Sequence, residues 1–137
     1  MPCKRCRENP VIILTNSSIE LCKSCFFKYF ERKTYKTIIN YSLIGKKDRI
    51  VVACSGGKDS MSLLHIFNRL AKKKDITIMA VAIDEGIKNY RELSELKKYC
   101  KQNNIKLKVY SFKNEFGFTL DQVVKKLKDL NPCSICG

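Results

Sequence analysis

No stretch of this 137-residue sequence approaches the roughly 20 apolar residues that a membrane-spanning helix requires. The first six residues, MPCKRC, contain no apolar segment of the kind found in a secretory signal peptide. Internal repeats, low-complexity tracts and disordered linkers are also absent. These absences argue against a membrane protein and a secreted one, so we expect a soluble, cytoplasmic protein with no membrane partner.

Acidic residues are scarce as well. The sequence has 13 of them against 27 lysines and arginines, which gives a formal net charge of +14. A charge this far from zero favours a polyanionic partner, nucleic acid first, although a lysine-rich surface that contacts only solvent is the simpler alternative. Hydrophobic residues make up 45% of the chain, which is enough for a packed core, and the length suits one domain with a small appendage.

Cysteine, in contrast, is abundant, and six of the eight cysteines form three Cys-x-x-Cys pairs. The first two pairs are Cys3 with Cys6 and Cys22 with Cys25. This spacing is typical of a zinc ribbon, in which each pair contributes two thiolates to one tetrahedral ion. Four thiolates close the coordination shell, so the predicted zinc is structural, and it stabilises a module with too few apolar residues for its own core. Four unliganded thiols are the alternative.

The aromatic residues that follow the second pair recur at helical spacing and are interleaved with lysines and arginines. They predict one long helix over residues 21–44 that links the ribbon to the rest of the chain and stops at Gly45. The expected domains are a zinc ribbon at 1–30, a linking helix at 31–47 and a larger domain at 48–137. The aromatic and basic stripe either packs within the protein, which we favour, or grips RNA.

From residue 48 onward, strand and helix patterns alternate. A nearly unbroken apolar run suits a strand covered on both faces, and a later strand alternates lysines with apolar residues, as at a sheet edge. Thr119 and Gln122 have the spacing of a capping box that begins a last helix. The predicted fold is α/β with a Rossmann-like parallel sheet. The expected strands are 49–54, 76–83 and 105–112, and the expected helices are 59–73, 89–103 and 119–130.

A glycine-rich segment, SGGKDS at residues 55–60, lies between the first strand and the first helix of this domain. A helix N-terminus presents unpaired N–H groups and a positive dipole end to an anion, and two glycines allow the backbone to approach the ligand. The sequence therefore predicts a phosphate-binding loop. It is not a Walker A loop, because Val52 stands where that motif has glycine and Asp59 where it has serine or threonine. The candidate phosphate-binding and cofactor-binding residues here are Ala53, Ser55, Gly56, Gly57, Lys58, Asp59 and Ser60.

Two further expectations concern the ligand edge of the sheet. A carboxylate beside phosphates is repulsive unless a cation intervenes, so Asp59 suggests Mg²⁺ between it and the nucleotide. Ligands of parallel sheets bind beyond the carboxyl ends of the strands, so Ala82, Ile83 and Asp84 are expected to face adenine and ribose. For Asp84, a ligand contact and a contact with N–H groups of the next turn are equally open.

The third pair, Cys133 and Cys136, follows the last predicted helix. Two cysteines do not complete a tetrahedral metal shell. They either carry persulfide and form a disulfide when sulfur leaves, or bind a cluster with a third ligand from elsewhere, or belong to a zinc knuckle completed by a partner. Cys133, Cys136 and Asp59 are the candidate catalytic residues.

Together these motifs resemble one family. Two N-terminal Cys-x-x-Cys pairs, the SGGKDS loop and the segments 83–91 and 132–137 occur in the order of the TtuA-type tRNA 2-thiouridine synthetases, which are PP-loop ATP pyrophosphatases. The resemblance implies a tRNA sulfurtransferase that cuts ATP between its α and β phosphates, adenylates the C2 oxygen of a uridine and replaces it with sulfur. It also implies that Cys133 and Cys136 supply two of three ligands to a [4Fe-4S] cluster, with sulfur delivered by a ubiquitin-like carrier.

The same family continues well past Gly137, so the resemblance predicts that this chain is the N-terminal part of a longer or split enzyme. In the family's sheet the first strand is central, whereas here residues 50–53 would form an exposed apolar edge. We expect a second chain carrying the missing C-terminal part, or a homodimer, to cover that edge. Two other functions stay open: another nucleotidyl-transferring PP-loop enzyme, and a non-catalytic module that binds zinc and nucleic acid.

Overall fold

The computed structural model describes residues 2–90, 93–127, 131 and 134. The chain divides into two compact units, Met1–Gly45 and Lys46–Gly137. Within the described residues, no helix is both long and apolar enough to cross a lipid bilayer. The domain boundaries that the sequence suggests at residues 30 and 47 stay a prediction.

The N-terminal unit begins with a short antiparallel hairpin. Strand β1, Ile12–Leu14, pairs with β2, Ile19–Leu21, and places Ile13 opposite Glu20. Side chains on one face of the hairpin meet the cysteines in a small core. Its buried members are Cys3, Leu14, Leu21, Cys22 and Cys25. Three of these five are cysteines, and the apolar residues packed against them, Ile12, Ile19, Phe26 and Tyr29, are only partly buried.

Helix α1, Lys23–Asn40, is shorter at both ends than the sequence predicts. It ends in a Schellman motif, in which the N–H of Leu43 donates to the carbonyl of Ile38 at 3.0 Å. Ser42 takes the left-handed position of that motif, with φ +49°. The expectation that Gly45 ends the helix is therefore wrong, since a serine adopts the backbone conformation that usually favours glycine.

The second unit contains a three-stranded parallel sheet in the order β3-β4-β5. Val52 lies opposite Ala80, which in turn lies opposite Leu107. The α/β class and all three strands are confirmed, with every boundary within one residue of its predicted position. The strands are β3 (Arg49–Ala53), β4 (Thr77–Asp84) and β5 (Lys106–Ser111).

Four helices accompany these strands in the described part of the unit: α2 (Lys58–Ala71), α3 (Ser94–Gln102), α4 (Phe112–Phe116) and α5 (Leu120–Lys126). Helix α3 begins later than the predicted residue 89, because Asn89 adopts a left-handed φ of +57° in a turn. The short helix α4 was not predicted. It ends at Gly117, whose φ of +79° is the usual glycine stop.

The predicted capping box at the start of α5 is confirmed. The Thr119 hydroxyl accepts the Gln122 N–H at 3.3 Å, and the Gln122 side chain accepts the Thr119 N–H at 2.9 Å. The helix ends at Lys126, and its predicted end at residue 130 lies outside the described residues.

Helices α2 and α3 cover one face of the sheet and form the main core with it. On the opposite face, the described residues leave Val51 57% exposed and Ile83 53% exposed. Among the described residues β3 pairs only with β4, so its outer edge has no strand beside it. What covers that edge stays a prediction. The buried core residues are Val52, Cys54, Leu64, Ala80, Ala82, Leu96, Cys100 and Ile105.

Two of these core residues, Cys54 and Cys100, give a testable pH dependence. Burial raises the pKa of both thiols, with a smaller contribution to Cys54 from Cys100. The folded state therefore holds these protons more tightly than the unfolded state does. The free energy of unfolding consequently falls as pH rises above the ordinary thiol pKa of about 8.5. We expect urea unfolding between pH 7 and 9.5 to show this fall, and the Cys54→Ala/Cys100→Ala double variant to show a smaller one. An unchanged slope in the double variant would contradict the assignment.

Candidate functional site

The four cysteines of the first two pairs meet in space. Their sulfur atoms all lie within 4.8 Å of one another. The Cys6 sulfur is 3.3 Å from that of Cys22 and 3.5 Å from that of Cys25. Zn–S bonds of about 2.3 Å in a tetrahedral site place the sulfurs about 3.8 Å apart. The donor set and its spacing therefore fit a structural zinc ion, with small adjustments of the thiol rotamers.

Backbone hydrogen bonds bring the two pairs together. The Cys3 N–H donates to the Glu8 carbonyl at 2.8 Å, and the Arg7 N–H donates to the Cys3 carbonyl at 3.0 Å, which closes the first turn. The Lys4 N–H donates to the Glu20 carbonyl at 3.1 Å and so fixes this turn to β2. Because β2 leads directly into the second pair at the start of α1, both pairs reach the same point.

The thiols differ in acidity. A backbone hydrogen bond from Cys22 lowers the pKa of Cys3 to about 6. For Cys6, a backbone hydrogen bond from Glu8 favours the thiolate, but the neighbouring thiol of Cys22 and burial outweigh it and raise its pKa to about 12. Four thiolates this close repel one another unless a cation neutralises them, so metal binding at this cluster must release protons.

The predicted phosphate loop joins β3 to α2. Gly56 adopts φ +80°, which favours glycine, and Gly57 is the N-cap of α2 with no side-chain hydrogen bond to the helix. The Gly57 N–H donates to the Ser55 hydroxyl at 3.4 Å, and the Ser60 hydroxyl donates to the Gly57 carbonyl at 3.1 Å. The two hydroxyl oxygens are 3.5 Å apart. The loop thus brings two hydroxyls and the first N–H groups of a helix to one place.

The charged residues of the loop are available to a ligand. The Lys58 Nζ lies 3.3 Å from the Asp59 Oδ1, and the two side chains are 89% and 91% exposed. An ion pair this exposed stabilises the fold little, so its members are not committed to the structure. Ala53, at the end of β3, is exposed as well, and the next residue anchors the loop, because the Cys54 N–H donates to the Val81 carbonyl at 2.7 Å.

The three residues at the end of β4 expected to face adenine and ribose differ in exposure. Ala82 is buried in the core, whereas Ile83 and Asp84 are exposed. The Asp84 carboxylate accepts the Gly86 N–H at 3.0 Å, so the turn contact is the one that the structure shows. A cleft of about 300 Å³ lies here, between the ends of β4 and β5, the segment 84–90 and the first turns of α3.

Sequence reasoning did not find the support of that cleft. The segment after β4 is fixed by the N-terminus of α5, through contacts between residues far apart in the chain. The capping box was the one readable signal, and it marks a helix start without saying what that start touches. Cys133 and Cys136 lie outside the described residues, so their predicted roles stay predictions.

Comparison with known proteins agrees with this geometry. A family model described as a PP-loop domain matches residues 28–127. The cytoplasmic tRNA 2-thiolation protein 1 of Chlamydomonas reinhardtii is 36% identical over 98% of this chain and 39% of its own length. A probable sulfurtransferase of Methanocaldococcus jannaschii is 39% identical over 88% of this chain and 38% of its own length.

A solved structure is similar over the whole chain. It is the U34-tRNA thiolase NcsA from Methanococcus maripaludis with its [4Fe-4S] cluster, with a TM-score of 0.80 and 31% identity. The match covers 100% of this chain and 45% of that one. The chain thus spans about two fifths of the length of the curated relatives it matches.

Proposed function

Because the chain belongs to the PP-loop family, we propose that residues 55–60 bind the triphosphate of ATP and that the chain takes part in ATP-dependent 2-thiolation of a tRNA uridine. The observation that carries the proposal is the start of α2. Its first N–H groups have no side-chain cap, and they follow a glycine-rich turn at the carboxyl edge of a parallel sheet. The names of the relatives point to the reaction, and this loop offers a place for its nucleotide.

In the proposed reaction the C2 oxygen of uracil attacks the α phosphorus of ATP, and pyrophosphate leaves. The N–H groups of Gly56, Gly57 and Lys58 hold the departing phosphates, and the hydroxyls of Ser55 and Ser60 donate to phosphate oxygens. A sulfur nucleophile then attacks C2 and expels AMP together with the activated oxygen. The contribution of the loop is to stabilise charge while the bond between the α and β phosphates breaks.

The remaining site residues have supporting roles in this proposal. Asp59 would hold Mg²⁺, which neutralises phosphate charge when bound, and its exposed carboxylate fits that role. Adenine and ribose would be bordered by Ala53, Ala82, Ile83 and Asp84. Because the side chain of Ala82 is buried, its backbone would make the contact. Cys133 and Cys136 would ligate a [4Fe-4S] cluster of the kind present in the Methanococcus thiolase.

The N-terminal cysteines have a structural role in the same proposal. Cys3, Cys6, Cys22 and Cys25 would close the shell of one Zn²⁺ and leave no open position for a reacting group. The formal charge of +14 suits tRNA as the partner. The proposed assembly also includes a ubiquitin-like sulfur carrier. A second chain, or a second copy of this one, would pair along the open edge of β3. We place this assembly in the cytoplasm.

The test is direct detection of thiolated uridine. Purified chain, prepared without oxygen, is incubated with tRNA, Mg·ATP and sulfide, and the tRNA is digested and analysed by mass spectrometry. A second reaction adds, as a separate polypeptide, the part of the Methanococcus thiolase that this chain does not match. We expect ATP binding in both reactions and 2-thiouridine only in the second. Absence of ATP binding in both would refute the proposed function.

A further inference from the structure

We propose that Thr119 and Asp121, at the start of α5, are positioning residues that hold the segment Asp84–Lys88 at the ligand edge of the sheet. Neither residue belongs to the phosphate loop or to a cysteine pair. The inference rests on the proposed function for its consequence, because it assigns these residues to the nucleotide side of that site. The contacts on which it depends are independent of that function.

Two hydrogen bonds join the segment to the helix. The Leu120 N–H donates to the Glu85 carbonyl at 2.9 Å. The Lys88 N–H donates to the Asp121 carboxylate at 2.9 Å. The second bond is charge-assisted, which makes it stronger than a bond between neutral groups. The segment is therefore held at two points by consecutive residues of one helix turn.

Between these two hydrogen bonds, Gly86 packs closely against the Thr119 side chain. A Cβ built on Gly86 would lie 2.6 Å from the Thr119 methyl carbon and 2.7 Å from its Cβ. Gly86 also has φ +71°, a conformation that favours glycine. The Thr119 side chain cannot easily move away, because its hydroxyl and backbone N–H both take part in the capping box with Gln122.

The position of Gly86 in turn affects the side chain of Asp84. The Gly86 N–H donates to the Asp84 carboxylate, so the place of Gly86 sets the direction of that side chain. Asp84 ends β4 at the carboxyl edge, and it lines the cleft with Glu85 and Ile87 of the same segment. Thr119 and Asp121 therefore fix the wall of the cleft without touching a ligand themselves.

The experiment compares Asp121→Ala with Asp121→Asn in the whole chain. Both variants remove the negative charge near the helix dipole, but asparagine keeps an oxygen that can accept the Lys88 N–H. Native-state amide exchange is measured residue by residue. We expect exchange at Lys88 to rise about tenfold or more in Asp121→Ala and by less than about threefold in Asp121→Asn. Amides within β4 should keep the wild-type rate in both.

A third variant, Gly86→Ala, tests the coupling from the other side. We expect it to speed exchange both at Lys88 and within α5, with β4 again unchanged. Exchange at Lys88 that is the same in Asp121→Ala as in wild type would overturn the proposal. So would a Gly86→Ala effect confined to the segment itself, or a rise in β4 equal to the rise at Lys88, since that would report global unfolding.

Calorimetric titration with Mg·ATP separates this inference from the proposed function. We expect Asp121→Ala to weaken binding about fivefold and Asp121→Asn to bind like wild type. If wild type binds Mg·ATP and Asp121→Ala binds equally well, the positioning role is wrong and the proposed function stands. If wild type does not bind, the proposed function fails, and amide exchange alone decides whether these residues hold the segment.

Discussion

Replacing Cys22 with serine is expected to remove the metal from the N-terminal unit and to unfold that unit. The four sulfurs lie within 4.8 Å of one another, and no fifth cysteine is near enough among the described residues to replace one of them. Structural zinc contributes roughly 10–16 kcal/mol of apparent binding free energy, and in small metal modules this is folding free energy. Besides its cysteines, the described part of this unit buries only Leu14, Leu21 and Ile38, and Ile38 lies outside the cysteine cluster. Its apolar core is therefore too small to compensate.

The measurement is metal content together with structure. Zinc per chain, by elemental analysis, should fall from about one to less than about 0.1, and backbone resonances of the hairpin should collapse to unfolded positions. Cys100→Ala is the matched control, because it removes a buried thiol that lies in the other unit, and it should keep its zinc. Zinc retained in Cys22→Ser, or lost equally from Cys100→Ala, would contradict the assignment of this cluster.

Acidification should have the same result as the serine variant. Zinc binds thiolates, so protons compete with the metal, and binding weakens as pH falls. A chelating dye that absorbs on binding zinc should show release from wild type as pH is lowered from 7 to 4, together with loss of hairpin structure. Structure in the hairpin that persists after the metal has left would show that the apolar residues suffice, against the expectation from the small core.

The sheet, the cysteine cluster and the glycine-rich turn before α2 could be predicted because their signals are local. Two apolar runs and one alternating segment predicted the three strands to within one residue, and the cysteine spacing predicted the cluster that the structure contains. Prediction failed where the backbone adopts left-handed conformations without glycine. Ser42 ends α1 and Asn89 delays α3, and both have positive φ although neither residue type requires it. Local backbone hydrogen bonds accompany both, from Leu43 to Ile38 and from Tyr90 to Ile87. Many residue types can make such bonds, so the sequence alone does not mark these positions.

The contacts that support the candidate site could not be predicted from the sequence, because they join residues far apart in the chain. Gly86 was visible as a glycine after a strand, and Thr119 was visible as a helix cap, but nothing local says that the two are in contact. The requirement for glycine at position 86 arises from the methyl group of Thr119 as much as from its own φ. Long-range packing of this kind determines the wall of the cleft.

Valine in place of Gly57 is expected to weaken ATP binding severely while leaving the fold intact. Gly57 has φ −76° and ψ 164°, an extended conformation that valine adopts readily, and a Cβ there meets only the Ser55 hydroxyl at 3.5 Å. The cost to stability is then about 1 kcal/mol, the usual cost of a poor N-cap residue. The added side chain would instead stand over the first N–H groups of α2. Losing two charge-assisted hydrogen bonds to phosphate costs at least about 3 kcal/mol, which is about a hundredfold in affinity.

Gly117→Ala is the matched control for this variant. Gly117 has φ +79° with open space around it, so alanine there costs a similar amount of stability through backbone strain, at a position outside the phosphate loop. Calorimetry should show at least about a hundredfold weaker Mg·ATP binding for Gly57→Val and wild-type binding for Gly117→Ala, with similar melting temperatures. Since the two variants differ in location and not in stability, only a phosphate ligand at the start of α2 explains such a difference. Equal binding by Gly57→Val and wild type would place the nucleotide elsewhere and remove the basis for adenylation by this chain.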